Sequence, residues 1–150
     1  MSEKEYDLLV FGATSFTGGL VVEYLNENYS GLKWAIAARN QEKMDAVKKG
    51  LKCDVPTILL DSTKMKDIEK ALGMTNLILT TVGPYQLYGN DVLAMCAKNG
   101  VDYVDLSGEP GWMFEMQKYL AAAKESGARI VHSCGCLLYT SPSPRDLSTS

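Results

Sequence analysis

Short apolar segments alternate with amphipathic ones from Tyr6 onward, and this alternation is typical of βαβ units that build a parallel sheet. The predicted strands are at residues 7–11, 32–38, 57–60, 76–80, 102–106 and 129–132. The predicted helices between them are at residues 17–26, 41–48, 65–72, 91–98 and 111–126. Because such crossovers are right-handed, the pattern predicts one α/β domain with a doubly wound, parallel six-stranded sheet and no domain boundary before residue 135.

Two residue types mark the predicted helix boundaries. Asn40 and Asn90 are predicted N-caps, because an asparagine side chain can accept a hydrogen bond from a free backbone N–H of the first turn. Gly73, Gly100 and Gly127 stand where helices should end, and glycine best tolerates the left-handed conformation found there. We therefore expect these three glycines to adopt positive φ angles.

The segment DLLVFGATSFTGG at residues 7–19 is the strongest local indication of chemistry. A strand leads into a glycine turn that opens a helix, and the free N–H groups at the start of that helix can face a pyrophosphate. Gly12 permits the tight turn, and Gly18 permits close packing of the helix on the strand. Ser15 replaces the usual middle glycine, is small enough to leave the backbone near the phosphates, and adds a hydroxyl donor. The segment predicts dinucleotide binding in a Rossmann domain, with a purely structural turn as the alternative.

The end of the second predicted strand indicates which dinucleotide is bound. Arg39 stands 21 residues after Gly18, where NAD-binding domains carry an acid that holds the ribose 2′-hydroxyl. A guanidinium pairs well with a phosphate, so Arg39 favours NADP over NAD. A surface arginine that merely begins a helix is the alternative.

The loops after the third and fourth predicted strands are expected at the same edge of the sheet. The loop that contains Asp61 and Ser62 can run past the edge of the adenine of a bound dinucleotide. Alternatively, Asp61, Ser62 or Thr63 can cap the following helix, and the sequence favours neither role. Gly83 and Pro84 form a stiff turn that can bring the backbone close to a ribose or a nicotinamide.

Aromatic and acidic residues further along are weaker candidates for ligand contact. Tyr85 and Tyr88 can stack on a ligand or donate a proton, and an aromatic loop that covers apolar surface is the alternative. Asp105, Ser107 and Glu109 follow the fifth predicted strand, where one of them can bind substrate. The stretch Ser-Gly-Glu-Pro is equally a turn and a helix start.

The composition narrows the class of protein. The chain has 150 residues, of which 46% are hydrophobic and 22% charged, as expected for one soluble domain with a core. The net charge of -3 argues against a nucleic-acid partner, since phosphate binding needs clustered Lys and Arg. No apolar segment reaches the roughly 18 residues of a transmembrane helix. The 4 cysteines and the absence of a signal peptide indicate a cytoplasmic protein with reduced thiols, which leaves peripheral membrane attachment open.

Several ordered motifs together resemble the N-terminal NADP-binding domain of the saccharopine dehydrogenase-like oxidoreductases. The resemblance covers residues 6–135 and is carried by VFGATSFTG, AARN, LLDS, TTVGPYQLYG, YVDLSGE and HSCG. It implies a cradle for NADP, or less readily for NAD, that is built from Gly12, Ala13, Thr14, Ser15, Phe16, Thr17, Gly18, Arg39, Asp61, Ser62, Val82, Gly83 and Pro84.

The resemblance also implies a longer parent protein whose second part carries the surfaces for substrate and for a homodimer. Some members of the family are linked to lipid metabolism, lipid droplets and membranes, and others reduce lipid intermediates. The expected function is therefore NADPH-dependent reduction of a lipid or another carbonyl or enoyl compound. A non-catalytic NADP-binding sensor or scaffold is the alternative. Neither Tyr85 nor Tyr103 has the lysine four positions on that short-chain dehydrogenases use, and the sequence assigns no catalytic residue.

The segment HSCGCLLYTSPSPRDLSTS at residues 132–150 breaks the pattern after Gly135. A single histidine such as His132 is more often structural than ligand-binding. Residues from Cys136 onward can be encoded by DNA that looks like a transposase sequencing adapter, so we do not interpret His132-x-Cys134-x-Cys136 as a metal site. We expect residues 1–135 to be the dinucleotide-binding domain and residues 136–150 a non-native, disordered tail. Without a second domain the chain should expose apolar faces, dissolve poorly and bind cofactor weakly at most.

Overall fold

Residues 3–134 are described by the structure, which is a computed structural model. The predicted tail at residues 136–150, with Cys136, lies outside the described residues. The strands are β1 Leu8–Phe11, β2 Trp34–Ala38, β3 Thr57–Leu59, β4 Leu77–Thr80, β5 Asp102–Asp105 and β6 Ile130–Val131. The helices are α1 Phe16–Asn28, α2 Gln41–Leu51, α3 Met65–Met74, α4 Tyr85–Tyr88, α5 Asn90–Asn99, α6 Pro110–Met116 and α7 Leu120–Ser126, with a 3-10 turn at Gln117–Tyr119.

The strands form one parallel, six-stranded sheet in the order β3-β2-β1-β4-β5-β6. This order confirms the predicted doubly wound sheet. The chain crosses from β3 at one edge to β4 beside β1, so the direction of winding reverses between β1 and β4. In such sheets ligands bind in the crevice outside the carboxyl ends of the strands at this point.

The central strand β1 shows why the strands of this sheet appear as apolar runs in the sequence. All of its residues are buried, and alternate side chains face opposite layers. Leu8 and Val10 pack in the cluster that α1 and α2 cover, whereas Leu9 and Phe11 pack in the cluster that α3, α5 and α6 cover. A parallel strand that is covered on both faces must be apolar throughout, as β1 is. The helices thus close both faces and leave the carboxyl ends of the strands as the open edge.

The predicted helix at residues 111–126 is confirmed as a helical segment, but a 3-10 turn at residues 117–119 divides it into α6 and α7. Trp112 and Met116 of α6 are buried in the main core, while Ala123 of α7 packs with Ala97 of α5 in a small separate cluster. The break lets the two halves meet different parts of the domain. No glycine or proline marks residues 117–119, so local sequence gave no sign of it.

The short helix α4 was not predicted, and a distant side chain explains it. Glu109 Oε2 accepts a hydrogen bond from Tyr85 N at 2.7 Å, and Glu109 Oε1 accepts one from Gln86 N at 3.1 Å. These acceptors satisfy free amides of the first turn that no local side chain caps. Glu109 therefore stabilises a helix end, and a contact of Glu109 with substrate stays a prediction.

Of the two predicted asparagine caps, only the first is confirmed. Asn40 caps α2, since its Oδ1 accepts a hydrogen bond from Lys43 N at 3.0 Å. Asn90 is instead the first residue of α5, and its Oδ1 accepts the indole N–H of Trp112. Its tertiary partner on α6 removes the side chain from the cap position.

Two of the three glycines that were predicted to have positive φ angles are confirmed. Gly100 and Gly127 end helices in the left-handed region, with φ of +73° and +86°. Gly73 was predicted to do so but lies inside α3, which ends one residue later at Met74. The next residue, Thr75, is extended and forms a parallel bridge with Tyr6, so the chain passes directly from the helix toward the sheet.

Candidate functional site

A cleft of about 390 Å³ opens at the carboxyl ends of β1, β2 and β4. It lies at the switch point of the sheet, where this fold is expected to bind ligands. The sequence-predicted residues that line it are Gly12, Thr14, Ser15, Arg39, Asp61, Ser62, Val82 and Gly83. The sequence had not included Phe11, Ala37, Ala38, Leu60, Thr63 and Thr81 among the ligand-contacting residues, although Thr81 directly precedes the predicted contacts at Val82 and Gly83.

The remaining predicted cradle residues do not line this cleft. They are Ala13, Phe16, Thr17, Gly18 and Pro84. Ala13 and Gly18 are buried beneath the turn, whereas the Phe16 side chain is 83% exposed on the outside of α1. Pro84 lies just before α4. The motif therefore divides into residues that face the cleft, residues buried behind it, and residues on the exposed side of α1.

Gly12 makes a turn that no other residue fits. Its φ is +87°, and an added Cβ would lie 2.2 Å from Thr81 Oγ1. The Thr81 hydroxyl is within hydrogen-bond distance of Phe11 O at 3.2 Å and Gly12 O at 3.1 Å, and Thr81 N donates to Phe11 O. The end of β4 thus lies directly against the turn, and both the conformation and the space require glycine.

Gly18 and Ser15 fix the start of α1. A Cβ on Gly18 would lie 1.8 Å from Gly12 O, so the helix contacts the turn through backbone alone. Ser15 Oγ donates to Gly12 O at 2.8 Å and accepts from Gly18 N at 3.0 Å, which makes Ser15 the N-cap. The hydroxyl donor that the sequence offered to phosphates is therefore engaged within the turn. The first turn of α1 has no acidic residue, so its positive end is free to attract an anion.

Arg39 and Asp61 line the cleft after β2 and β3. Asp61 Oδ1 accepts hydrogen bonds from Thr63 N at 2.9 Å and Thr63 Oγ1 at 2.6 Å. These bonds, with a smaller contribution from the nearby charge of Arg39, hold the pKa of the Asp61 carboxyl below its usual value. The capping alternative was wrong for α3, because Lys64 occupies the N-cap position without a side-chain cap, and Asp67 Oδ2 accepts Asp61 N instead.

The two tyrosines after β4 have different environments. Tyr88 lines the cleft and is 40% exposed, so its stacking or proton-donating role stays a prediction. Tyr85 is buried and stacks on Trp112 with a centroid distance of 5.5 Å. Its hydroxyl donates to Thr80 O at 2.9 Å and accepts from Leu106 N at 3.1 Å, and burial raises its pKa to about 12. Tyr85 is thus not a ligand contact, and it covers apolar surface as the alternative predicted.

Asp105 is the centre of a second polar cluster, at the carboxyl ends of β5 and β6. Its buried Oδ2 accepts from the Tyr103 hydroxyl at 2.7 Å and lies 2.9 Å from His132 Nδ1. Its Oδ1 accepts from Ser107 N, Ser107 Oγ and Ser133 N at 2.8 to 3.0 Å. Burial raises the pKa of Asp105, but the hydrogen bonds from His132, Ser107 and Tyr103 outweigh it, so the pKa lies below its usual value. Asp105 and Ser107 are occupied by the fold, so their predicted substrate contact was wrong.

Among the described residues, no helix has both the length and the apolar character needed to cross a membrane.

The chain matches the family model described as the saccharopine dehydrogenase NADP binding domain over residues 8–131. It is 38% identical over 142 residues to a lipid droplet localized protein of Caenorhabditis elegans, covering 88% of this chain and 33% of the relative. It is 39% identical over 140 residues to a trans-acting enoyl reductase of Mycobacterium tuberculosis, covering 89% and 33%. The chain thus spans about a third of the length of the curated relatives it matches.

Solved structures agree on the fold. The apo saccharopine dehydrogenase (L-Glu forming) of Saccharomyces cerevisiae matches with a TM-score of 0.70 at 18% identity, over 87% of this chain and 27% of that one. A Citrobacter sp. triphenylmethane reductase complexed with NADP(H) matches with a TM-score of 0.63 at 19% identity, over 84% and 48%. At these identities the likeness shows the fold alone.

Proposed function

The chain belongs to the saccharopine dehydrogenase-like family through its NADP-binding domain, and from this premise we propose that it serves an NADPH-dependent reductase. In this proposal the cleft at the ends of β1, β2 and β4 holds NADPH. The bound cofactor supplies a hydride to a carbonyl or enoyl group of a lipid or another small molecule. The protein's own contribution is to bind and orient the cofactor.

The observation that carries the proposal is the glycine turn at the switch point. Gly12 lines the cleft without a side chain, and Gly18 behind it leaves no room for a Cβ, so the start of α1 lies close against the turn. Thr14 and Ser15 line the cleft beside the start of α1, where a pyrophosphate would bind. Arg39 lines the wall after β2, where its guanidinium can pair with the 2′-phosphate that distinguishes NADP from NAD.

The reductive chemistry is supported by the printed names of relatives. Among them are a trans-acting enoyl reductase and a lipid droplet localized protein. We propose that the substrate site, any homodimer surface and any association with droplets or membranes belong to a longer parent protein, since the relatives are about three times as long as the matched region. Residues 1–135 would then be its cofactor domain, with a native continuation that replaces residues 136–150. Sequencing the gene past Gly135 tests this, and a native exon that encodes CLLYTSPSPRD would contradict it.

Cofactor choice is tested with Arg39→Asp. Loss of a charge-assisted pair, worth about 1.5–3 kcal/mol, should weaken NADPH binding about 10- to 100-fold and leave NADH binding nearly unchanged or improved. Both affinities can be measured by titration of the chain with each nucleotide. Lys43→Asp makes the same change of charge on α2, outside the cleft lining, and should leave the ratio unaltered. An unchanged ratio in Arg39→Asp would remove Arg39 from the site.

Turnover separates the reductase from the non-catalytic alternative. The full-length parent should consume NADPH in the presence of long-chain enoyl or carbonyl compounds, and the reduced product should appear in equal amount. Tight NADPH binding without consumption across both classes would favour a sensor or scaffold on the same fold.

A further inference from the structure

The segment that follows β4 forms one wall of the cofactor cleft. Thr81, Val82 and Gly83 line the cleft before α4, and Tyr88, the last residue of α4, lines it as well. This wall lies on the opposite side of β1 from β2 and β3, where the adenosine half of a dinucleotide binds in doubly wound sheets. The position of α4 therefore decides the shape of the cleft at the end away from Arg39.

The helix α4 is too short to hold this position by itself. It has 4 residues, whereas an isolated helix in water needs about 12–15 residues to approach stability. Pro84 precedes its first turn and supplies no side-chain cap, so the free amides of that turn need partners from elsewhere in the fold. The contacts that hold α4 in place are therefore tertiary.

Both ends of α4 are held by α6 and by the residue before α6. At the start of α4, the two carboxylate oxygens of Glu109 accept hydrogen bonds from Tyr85 N at 2.7 Å and from Gln86 N at 3.1 Å. At the end of α4, a Cβ added to Gly89 would lie 2.8 Å from the indole ring of Trp112, so backbone packs directly on that ring. Hydrogen bonds to a carboxylate are roughly twice as strong as neutral ones, so Glu109 is a strong anchor for the start of α4.

The main chain holds Glu109 in place for this contact. Its carbonyl oxygen accepts a hydrogen bond from Met113 N at 3.0 Å, which begins the bonding of α6, and Pro110 follows it at the first helical position. The Glu109 side chain is partly buried and does not line the cofactor cleft. An effect of Glu109 on a bound cofactor must therefore pass through the residues that it holds.

We propose that Glu109 is a positioning residue for NADPH, which holds α4 so that Tyr88 meets the cofactor at the end of the cleft away from Arg39. This inference rests on the proposed binding of NADPH in the cleft. A preformed wall spares the ligand the free energy of ordering it, so loss of the Glu109 charge should weaken binding although Glu109 does not line the cleft. The effect should be confined to ligands that extend as far as Tyr88.

Glu109→Gln tests the proposal, because it keeps the size of the side chain and removes its charge. The 150-residue chain is titrated with NADPH and with adenosine 2′,5′-bisphosphate, which carries the 2′-phosphate but lacks the nicotinamide half. Glu109→Gln should weaken NADPH binding about tenfold and leave the affinity for the bisphosphate unchanged. Glu115→Gln makes the same change of charge on α6, in an exposed pair with Lys118, and should alter neither affinity.

The two ligands separate the possible failures. An equal loss for both ligands in Glu109→Gln would mean that the substitution disturbs the whole cleft, and an unchanged affinity for NADPH would mean that the Glu109 charge is not needed. Either result would overturn the positioning role. A wild-type chain that binds neither ligand would instead overturn the NADPH site itself.

The route through α4 is tested in two further ways. In a Tyr88→Ala background, Glu109→Gln should cost much less than tenfold in NADPH affinity, because the group that Glu109 positions is already gone. The amide hydrogens of Tyr85 and Gln86 should also exchange with solvent faster in Glu109→Gln than in the wild type. The same tenfold loss in both backgrounds, or unchanged exchange at both amides, would show that Glu109 does not act through α4.

Discussion

The two halves of the carboxyl edge of this sheet are built in different ways. At β1, β2 and β4 the chain forms a cleft from backbone and small residues, with Gly12 and Gly18 in contact through their main chains. At β5 and β6 the same edge is filled by side chains, and Asp105 alone accepts five hydrogen bonds, if the His132 contact is included. The first half leaves donors for a ligand, whereas the second half uses its donors internally.

This difference shows what makes a polar residue at a sheet edge available. Asp105 and Ser107 stand at the edge that binds ligands in this fold, yet both are fully buried and hydrogen-bonded within the protein. A buried carboxylate without such partners would be strongly unfavourable, so the fold supplies them before any substrate can. Arg39 is exposed after β2, and therefore it can still pair with a ligand. The comparison can be tested by changing one half at a time.

The largest expected effect is that of Gly18→Ala in the backbone-built half. The new methyl group would lie 1.8 Å from Gly12 O, so α1 must move away from β1 and the cleft must open. We expect a loss of more than about 4 kcal/mol in the free energy of unfolding by urea, which is exceptional for one substitution. Gly19→Ala is the control, since a Cβ there meets no atom of residues 3–134 within 4 Å and alanine favours the helix. Equal stability of the two variants would show that the close contact is not required.

In the side-chain-built half, Asp105→Asn should have the next largest effect. The amide keeps one acceptor but turns an N–H₂ group toward buried donors, so the free energy of unfolding should fall by about 3 kcal/mol. Glu115→Gln breaks an exposed pair and should change the stability by no more than about 1 kcal/mol. NADPH affinity should be retained by the folded fraction of Asp105→Asn, because Asp105 does not line the cofactor cleft. A selective loss of NADPH affinity would instead show that Asp105 contributes to cofactor binding and that the two halves form one site.

The same carboxylate makes the second half sensitive to acid. The hydrogen bonds to Asp105 hold its folded pKa below the ordinary value of about 3.9, despite the opposing effect of burial. A lowered folded pKa contributes stability that is present above the unfolded pKa and is lost as the pH falls through the folded value. The free energy of unfolding of the wild type should therefore fall as the pH drops below about 4. Asp105→Asn should show a shallower fall, and parallel curves for the two proteins would refute this assignment.

The smallest effect is expected at Ser15, where the family of turns usually has glycine. Ser15→Ala removes the side-chain bond to Gly18 N and should lower the free energy of unfolding by about 1 kcal/mol. Ser15→Gly should lower it by only a few tenths of a kcal/mol, because glycine is itself tolerated at an N-cap. If Ser15→Gly binds NADPH as tightly as the wild type, the hydroxyl serves the turn rather than the phosphates. A large loss of affinity would restore the direct contact that the sequence suggested.

Local and periodic features were predicted well from sequence. The strands are apolar because both faces of the sheet are covered, and Gly12 is needed because the turn has a positive φ. Features that depend on distant partners were not predicted. Glu109 stabilises the start of α4 from across the chain, and Asn90 bonds to Trp112 instead of capping its own helix. These contacts join residues that are far apart in the sequence, so no local spacing rule predicts them.

The sequence by itself determined the doubly wound sheet, the glycine turn and the position of Arg39 at the end of β2, because each follows from periodicity or from a short motif. The sequence also identified the family, because its ordered motifs extend over most of the matched residues. Only the tertiary structure decided which polar residues remain available. Asp105, Ser107 and Tyr85 carry polar groups, as Arg39 does, but burial requires them to bond within the fold, while the exposed Arg39 can meet a ligand.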